Sequence, residues 1–268
     1  MMRAAILQIP SVGMSTAKFD YYLRIAKSKG CKVVLLGEYL LNRFFKELEN
    51  TPISMIKEQS DHHIKTLKAL AKEYDVNIIA PLVIVKKKKP YKTIVKFSPT
   101  STSYYHQQIL INYKHWDEEK FFANETAALK SPMIFSVDGF KFAVMAGFEL
   151  HFDAFWQDIM AKNVDAVLLP TVSTFESHER WRELIKMRAF TNSCYIIRAN
   201  RIGEYAEDEW NWNFYGDSLV VSPQGDIENH LGNQEELLMI DLDKQAVKAA
   251  RKSWGFKEAL QKHQGLEA

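Results

Sequence analysis

Two hydrophobic rhythms alternate along the chain. Ala4-Ala5-Ile6-Leu7 and Val33-Val34-Leu35-Leu36 are continuous apolar runs of strand length, and 16–29 between them repeats apolar positions at helical spacing. Strand, helix and strand in that order predict a sheet covered by helices. A helical stretch over 60–73 then leads into three strand-like segments, 76–85, 93–97 and 102–111, joined by short polar turns. Short turns join antiparallel neighbours, so the predicted sheet is mixed.

The second half repeats the rhythm, with strands over 142–146, 166–169 and 195–199 and helices over 154–161 and 178–192. The end reads as a hairpin made of a strand over 216–221, the turn Ser222-Pro223-Gln224-Gly225-Asp226, and a strand over 237–242. There is no internal repeat and no Gly/Ser/Pro-rich linker, which predicts one domain over 1–268 with a C-terminal extension from about residue 245. The charge run Lys86-Lys87-Lys88-Lys89-Pro90 falls between two strands. It reads as a solvated turn that shields a sheet edge, since it lacks the interleaved aromatics of a nucleic-acid site.

Composition narrows the function classes. A net charge of +2 is too small to hold nucleic acid or an anionic membrane, which leaves small molecules as the expected partners. No leader-like segment opens the chain and no apolar run approaches membrane length, so the cytoplasm is the expected location. Cys31 and Cys194 lie in or beside apolar runs and read as buried free thiols, not as a disulfide framework.

Polar residues that end apolar strands are where an α/β fold gathers chemistry. Glu38 follows Val33-Val34-Leu35-Leu36-Gly37, and a carboxylate there loses solvation and gains proton affinity, as a general base needs. Lys114 and Glu119 lie in the segment Asn112-Tyr113-Lys114-His115-Trp116-Asp117-Glu118-Glu119 after another strand. Gly147 stands at a strand-to-helix elbow, Met145-Ala146-Gly147-Phe148-Glu149-Leu150-His151-Phe152. Each of these charges taken alone is equally well a solvated surface group.

Their order resembles the Glu-Lys-Cys layout of the carbon-nitrogen hydrolase (nitrilase-like) superfamily, and the resemblance covers nearly the whole chain. Gln8 is similar to the family's opening glutamine, Leu169-Pro170-Thr171 to its strand ending in proline and a small residue, and Arg188-Ala189-Phe190-Thr191-Asn192 to its Arg-Ala-x-Glu-Asn stretch. Asn200-Arg201-Ile202-Gly203, Tyr215-Gly216-Asp217-Ser218 and Ser222-Pro223-Gln224-Gly225 match further family elements in order. The resemblance implies a four-layer αββα sandwich of mixed sheets and a homodimer or higher homo-oligomer. It also implies that the segment around Ser253-Trp254-Gly255-Phe256 lies over a neighbouring subunit. Glu38 would be the general base, Lys114 the cation for a tetrahedral oxyanion and Glu119 a second glutamate that positions both. No cofactor and no metal are implied.

The same resemblance places Gly147 where the family has its catalytic cysteine, and glycine has no side chain to form an acyl-enzyme. Three readings follow: a site that still binds a small amide, amine or nitrile without covalent hydrolysis; slow hydrolysis by a water activated by Glu38; or a glycine introduced to trap a complex. A scaffold protein with an exposed apolar face is the alternative class. Phe148, Glu149, Phe175 and Trp181 are candidate substrate contacts, and the aromatic-rich segment 209–215, with Trp212, is a pocket wall or a subunit contact. His151 reads as a helix cap, and the adjacent His62-His63 project in different directions and have no metal-ligand spacing.

Overall fold

The computed structural model describes residues 1–207 and 210–263. The chain runs β1 (Met2–Gln8), α1 (Ala17–Ser28), β2 (Val33–Leu36), α2 (Phe45–Glu49), α3 (Ile53–Tyr74), β3 (Asn77–Lys86), β4 (Lys89–Phe97) and β5 (Thr102–His106). It continues with the short hairpin β6 (Asn112–Tyr113) and β7 (Trp116–Asp117), α4 (Glu118–Phe121), β8 (Met133–Val137), β9 (Phe140–Val144) and a 3-10 turn over Gly147–His151. Then come α5 (Asp153–Ala161), β10 (Ala166–Pro170), α6 (His178–Asn192), β11 (Tyr195–Ala199), and a hairpin of β12 (Ile202–Glu207) and β13 (Trp210–Tyr215). The last elements are β14 (Leu219–Val221), β15 (Ile227–His230), β16 (Glu236–Leu242), α7 (Lys244–Trp254) and α8 (Phe256–His263). The predicted segment 209–215 begins at Glu209, which lies outside the described residues.

Two six-stranded mixed sheets form, in the orders β16-β1-β2-β3-β4-β5 and β15-β14-β11-β10-β9-β8. Strand alternation decides which face each residue serves. Ala4, Ile6, Val33, Leu35 and Ile94 of the first sheet meet Phe142, Val144, Leu168, Tyr195 and Ile197 of the second in the core between the sheets. The intervening residues Ala5, Leu7, Val34 and Leu36 face outward onto Phe19, Leu23 and Ala26 of α1 and Leu67 and Ala71 of α3. Ala143, Val167, Leu169 and Ile196 likewise face Phe155, Trp156 and Ile159 of α5 and Ile185 and Ala189 of α6. The architecture is a four-layer αββα sandwich.

Two expectations from the sequence change. The strand predicted over 102–111 stops at His106, and the chain leaves the sheet to reach the β6–β7 hairpin. The arm that pairs with β14 is β15, whereas 237–242 belongs to β16, which pairs antiparallel with β1 in the other sheet. Within its own chain, Trp254 and Phe256 stack beside Phe190 of α6, and Trp254 Nε1 donates to Gln224 Oε1. The lysine run is a turn, with Lys87 and Lys88 at φ of 49° and 62° as a two-residue β-hairpin connection requires. Cys31 and Cys194 are free and buried. Among the described residues, no helix is long and apolar enough to cross a membrane.

Candidate functional site

Strand ends from both sheets converge at one rim of the sandwich. Gly37, just past β2, approaches the end of β11 so closely that a Cβ there would stand 3.1 Å from Arg201 N and from the Asn200 carbonyl carbon. Only glycine permits this approach without displacing backbone. The chain then turns through Tyr39 at φ 55°, an unfavourable left-handed conformation for a bulky residue, and Glu38 N donates to Thr171 O beyond β10. The polar residues of the recurring sequence motifs tie these ends together. Gln8 donates to Gly232 O and Gln234 O while accepting from Ser218 N, and Asn200 accepts from Thr171 Oγ1 and Ser173 N while donating to Gly216 O.

Glu38 points into the space between the sheets at this rim. Its Oε2 accepts from Lys92 Nζ at 2.8 Å and its Oε1 from the backbone N–H of Gly147 at 3.3 Å. Lys92 Nζ also donates to Glu118 Oε1 at 2.7 Å, an oxygen that accepts from Tyr39 OH at the same distance. Glu118 Oε2 is buried with no partner among the described residues. Residue exposures of 4% for Glu38, 6% for Lys92 and 0% for Glu118 put two carboxylates and one ammonium out of water together. Burial pushes the Glu38 carboxyl up, against the pull of Lys92 and with the repulsion of Glu118. Burial alone would lower Lys92, but the two carboxylates outweigh it and hold the ammonium above its ordinary value.

The sequence expectation of Lys114 and Glu119 beside Glu38 is corrected by this geometry. Lys114 is exposed in the turn between β6 and β7, and Glu119 is exposed on α4, accepting a long 3.4 Å bond from Asn112 Nδ2. Successive helix positions diverge by about 100°; Glu118 therefore turns inward as Glu119 turns out. Lys92 was missed because it follows the lysine run and looks like one more solvated charge. The signal was there: Lys92 lies two residues before Ile94, and period two puts both on the inter-sheet face of β4.

Gly147 opens the 3-10 turn after β9, and a cavity of about 30 Å³ lies above it, bordered by Glu38, Lys92, Phe148, Thr171 and Trp181. That volume admits a water or the head of a small ligand. The space directly over the Gly147 Cα is tight: an added Cβ would meet Thr171 Cγ2 at 3.0 Å and Pro170 O at 3.1 Å. Of the candidate substrate contacts, Phe148 and Trp181 border the cavity, whereas Phe175, half exposed and at φ 58°, packs against His115 and Trp212 and is not part of its lining. Trp212 is itself buried among the aromatics of Tyr39, Phe44 and Trp116.

Glu149 does not face the cavity, contrary to the sequence reading. Its carboxylate accepts from Tyr105 OH, Gln108 N and Ala146 N, and so pins the elbow to the loop after β5. His151 Nδ1 contacts Phe148 O, and His63 Nε2 contacts Gly13 O. Among the described residues, no group of three or more His, Cys, Asp or Glu side chains gathers as metal ligands.

Known proteins share this arrangement of elements. The family described as Carbon-nitrogen hydrolase matches residues 3–252. A deaminated glutathione amidase of Synechocystis is 22% identical, the match spanning 92% of this chain and 94% of that protein. A carbon-nitrogen hydrolase of Helicobacter pylori G27 superposes with a TM-score of 0.85 at 21% identity, covering 96% of this chain and 94% of that one. A cysteine-to-alanine variant of the amidase from Nesterenkonia sp. AN1, solved with butyramide, superposes with a TM-score of 0.76 at 19% identity and 95% coverage of both chains. With the family matched over almost its full length and the fold in agreement, the chain belongs to the carbon-nitrogen hydrolases.

Proposed function

We propose that this chain is a carbon-nitrogen hydrolase family member that binds a small amide or related carbamoyl or nitrile compound at the Glu38–Lys92–Glu118 cluster, with covalent hydrolysis absent because Gly147 stands at the nucleophile position. The observation that carries the reading is the pair of bonds on Glu38, one oxygen on Lys92 Nζ and the other on the N–H of Gly147. This links a base and a cation to the residue that would have to attack. An ammonium has three N–H donors, and Lys92 spends two on carboxylates, which leaves the third for a ligand oxygen in the cavity that Lys92 borders. That donor is what an amide carbonyl or a developing oxyanion requires. What the site lacks is an atom on residue 147 that could carry the acyl group.

The Nesterenkonia amidase variant solved with butyramide supplies the probe, since in that protein the amide is held with a cysteine replaced by alanine. Calorimetry on this chain should show butyramide binding that is lost in Lys92→Ala, while ammonia release stays at background. No binding together with no release would reject the pocket reading. A second reading is favoured by the cavity between Glu38 and Gly147, which has room for a water, and by the raised proton affinity of Glu38. Under it, ammonia release from butyramide is slow but measurable and disappears in Glu38→Gln.

A further inference from the structure

A second, larger hollow lies elsewhere, at the free edge of β5, and the proposed ligand site does not use it. The segment 122–132 crosses this edge as a strap. Asn124 fastens it, its Oδ1 accepting from Lys92 N and its Nδ2 donating to Lys92 O and Gln107 O, each at 2.8 Å. A reciprocal pair fastens the other end: Lys130 N donates to Gln108 Oε1 and Gln108 Nε2 donates to Lys130 O. Between strap and sheet lies a space of about 500 Å³, bordered among others by Lys86, Tyr91, Tyr104, His106, Gln107 and Lys130. Ligand pockets run from about 300 to 1,000 Å³, and this one is held open by side-chain bonds to backbone on both sides.

Its lining specifies a ligand. Tyr91 and Tyr104 present ring surface, and Tyr104 leaves 47% of its area exposed. Lys86 and Lys130 set two positive charges against the single carboxylate of Glu125. His106 adds no further charge: Lys86 Nζ donates to its Nε2, so its Nδ1 carries the proton and donates to Thr93 Oγ1 at 2.7 Å. Gln107 is 2% exposed, its Nε2 donates to Ile109 O at 2.7 Å, and its Oε1 is buried without a partner among the described residues. Flipping the amide would turn that oxygen onto a carbonyl, so the orphan acceptor belongs where it stands. That oxygen has essentially no accessible surface, so it lies behind the wall of the hollow and the ligand contacts come from the tyrosines and lysines.

We propose that this hollow is a second small-molecule site, separate from the Glu38 cluster, for an aromatic acid. The ring lies against Tyr91 and Tyr104, and the carboxylate meets Lys86 and Lys130. The site also touches the elbow: Tyr105 and Gln108 border it and donate to Glu149, two residues beyond Gly147.

The test is calorimetry or saturation-transfer NMR on the full chain with 4-hydroxybenzoate. Saturable binding is expected, weakened at least about tenfold in Tyr104→Ala and in Lys86→Met, both at exposed positions that the fold tolerates. Phenol, which lacks the carboxylate, should bind more weakly by a similar factor, and Glu38→Gln should leave 4-hydroxybenzoate binding unchanged. Absence of saturable binding at millimolar ligand, equal affinity for phenol, or loss in Glu38→Gln but not in Tyr104→Ala would each overturn the proposal.

Discussion

The backbone N–H of Gly147 donates to Glu38 Oε1 across 109 residues of sequence, at 3.3 Å in a buried setting. The bond joins the elbow of the second sheet to the strand end of the first. It gives the Glu38 carboxylate a fixed direction before any ligand arrives, with its other oxygen on Lys92.

The ion cluster makes Lys92 the group to remove. Lys92→Met leaves Glu38 and Glu118 facing each other unpaired out of water, which should cost about 3–5 kcal/mol in urea denaturation. Lys114→Met, at an exposed turn, should stay within about 0.5 kcal/mol of the parent. Butyramide binding should follow the same split. An equal effect of the two substitutions on binding and stability would refute the assignment of Lys92.

Placing a thiol at residue 147 is not a one-residue change. In Gly147→Cys the new Cβ presses on Thr171 Cγ2 at 3.0 Å and Pro170 O at 3.1 Å, so the elbow or Thr171 must shift, at about 1–3 kcal/mol. Thr171→Ser removes the methyl and keeps the hydroxyl that accepts from Arg198 Nε and donates to Asn200 Oδ1. The double variant should therefore melt above Gly147→Cys and release more ammonia from butyramide than it does. A double variant no more stable and no more active than the single one would show that the methyl does not govern the space.

The sequence made the layers legible because both sheets alternate strictly, with Ile6 and Leu35 inward and Leu7 and Leu36 outward. Glu38 was legible for the same reason, as a charge that directly ends an apolar strand. Lys92 and Glu118 were not. Lys92 hides behind a run of solvated lysines, and Glu118 stands beside Glu119 where a single helical step separates inside from outside. The path of 237–242 was equally hidden, since apolar alternation marks a strand as half buried but does not say which sheet edge it joins. β16 leaves its sequence neighbours β14 and β15 and completes the first sheet against β1.

Neither thiol should react in the native protein. Burial pushes the Cys31 thiol up to about 11 and the Cys194 thiol to about 12, so almost no thiolate is present at pH 8 and no surface reaches either sulfur. A chromogenic disulfide reagent should label neither residue in buffer and both in denaturant. Fast labelling of the native chain would mean that the strand carrying the reactive residue opens far more readily than its packing allows.

Glu149 gives the fold a pH dependence opposite in sign to that of most carboxylates. Burial is the leading cause, pushing its carboxyl from an ordinary 4.5 up to about 7 although Gln108 N, Tyr105 OH and Ala146 N all donate to it. The native state thus keeps a proton between pH 4.5 and 7 that the unfolded chain has released. Stability from this group is fully present below 4.5 and falls as pH rises toward 7, by roughly 3 kcal/mol at most. Glu149→Gln cannot ionise and should remove that slope, while leaving one amide N–H group facing a donor and lowering stability throughout the range. Urea midpoints at pH 5 and pH 7.5, taken for both proteins, separate the effects: the slope difference reports the titration and the common offset reports the lost acceptor. Parallel slopes in the two proteins would mean that the three donors keep Glu149 ionised across the whole interval, with the elbow at Gly147 held by a charge at every pH tested.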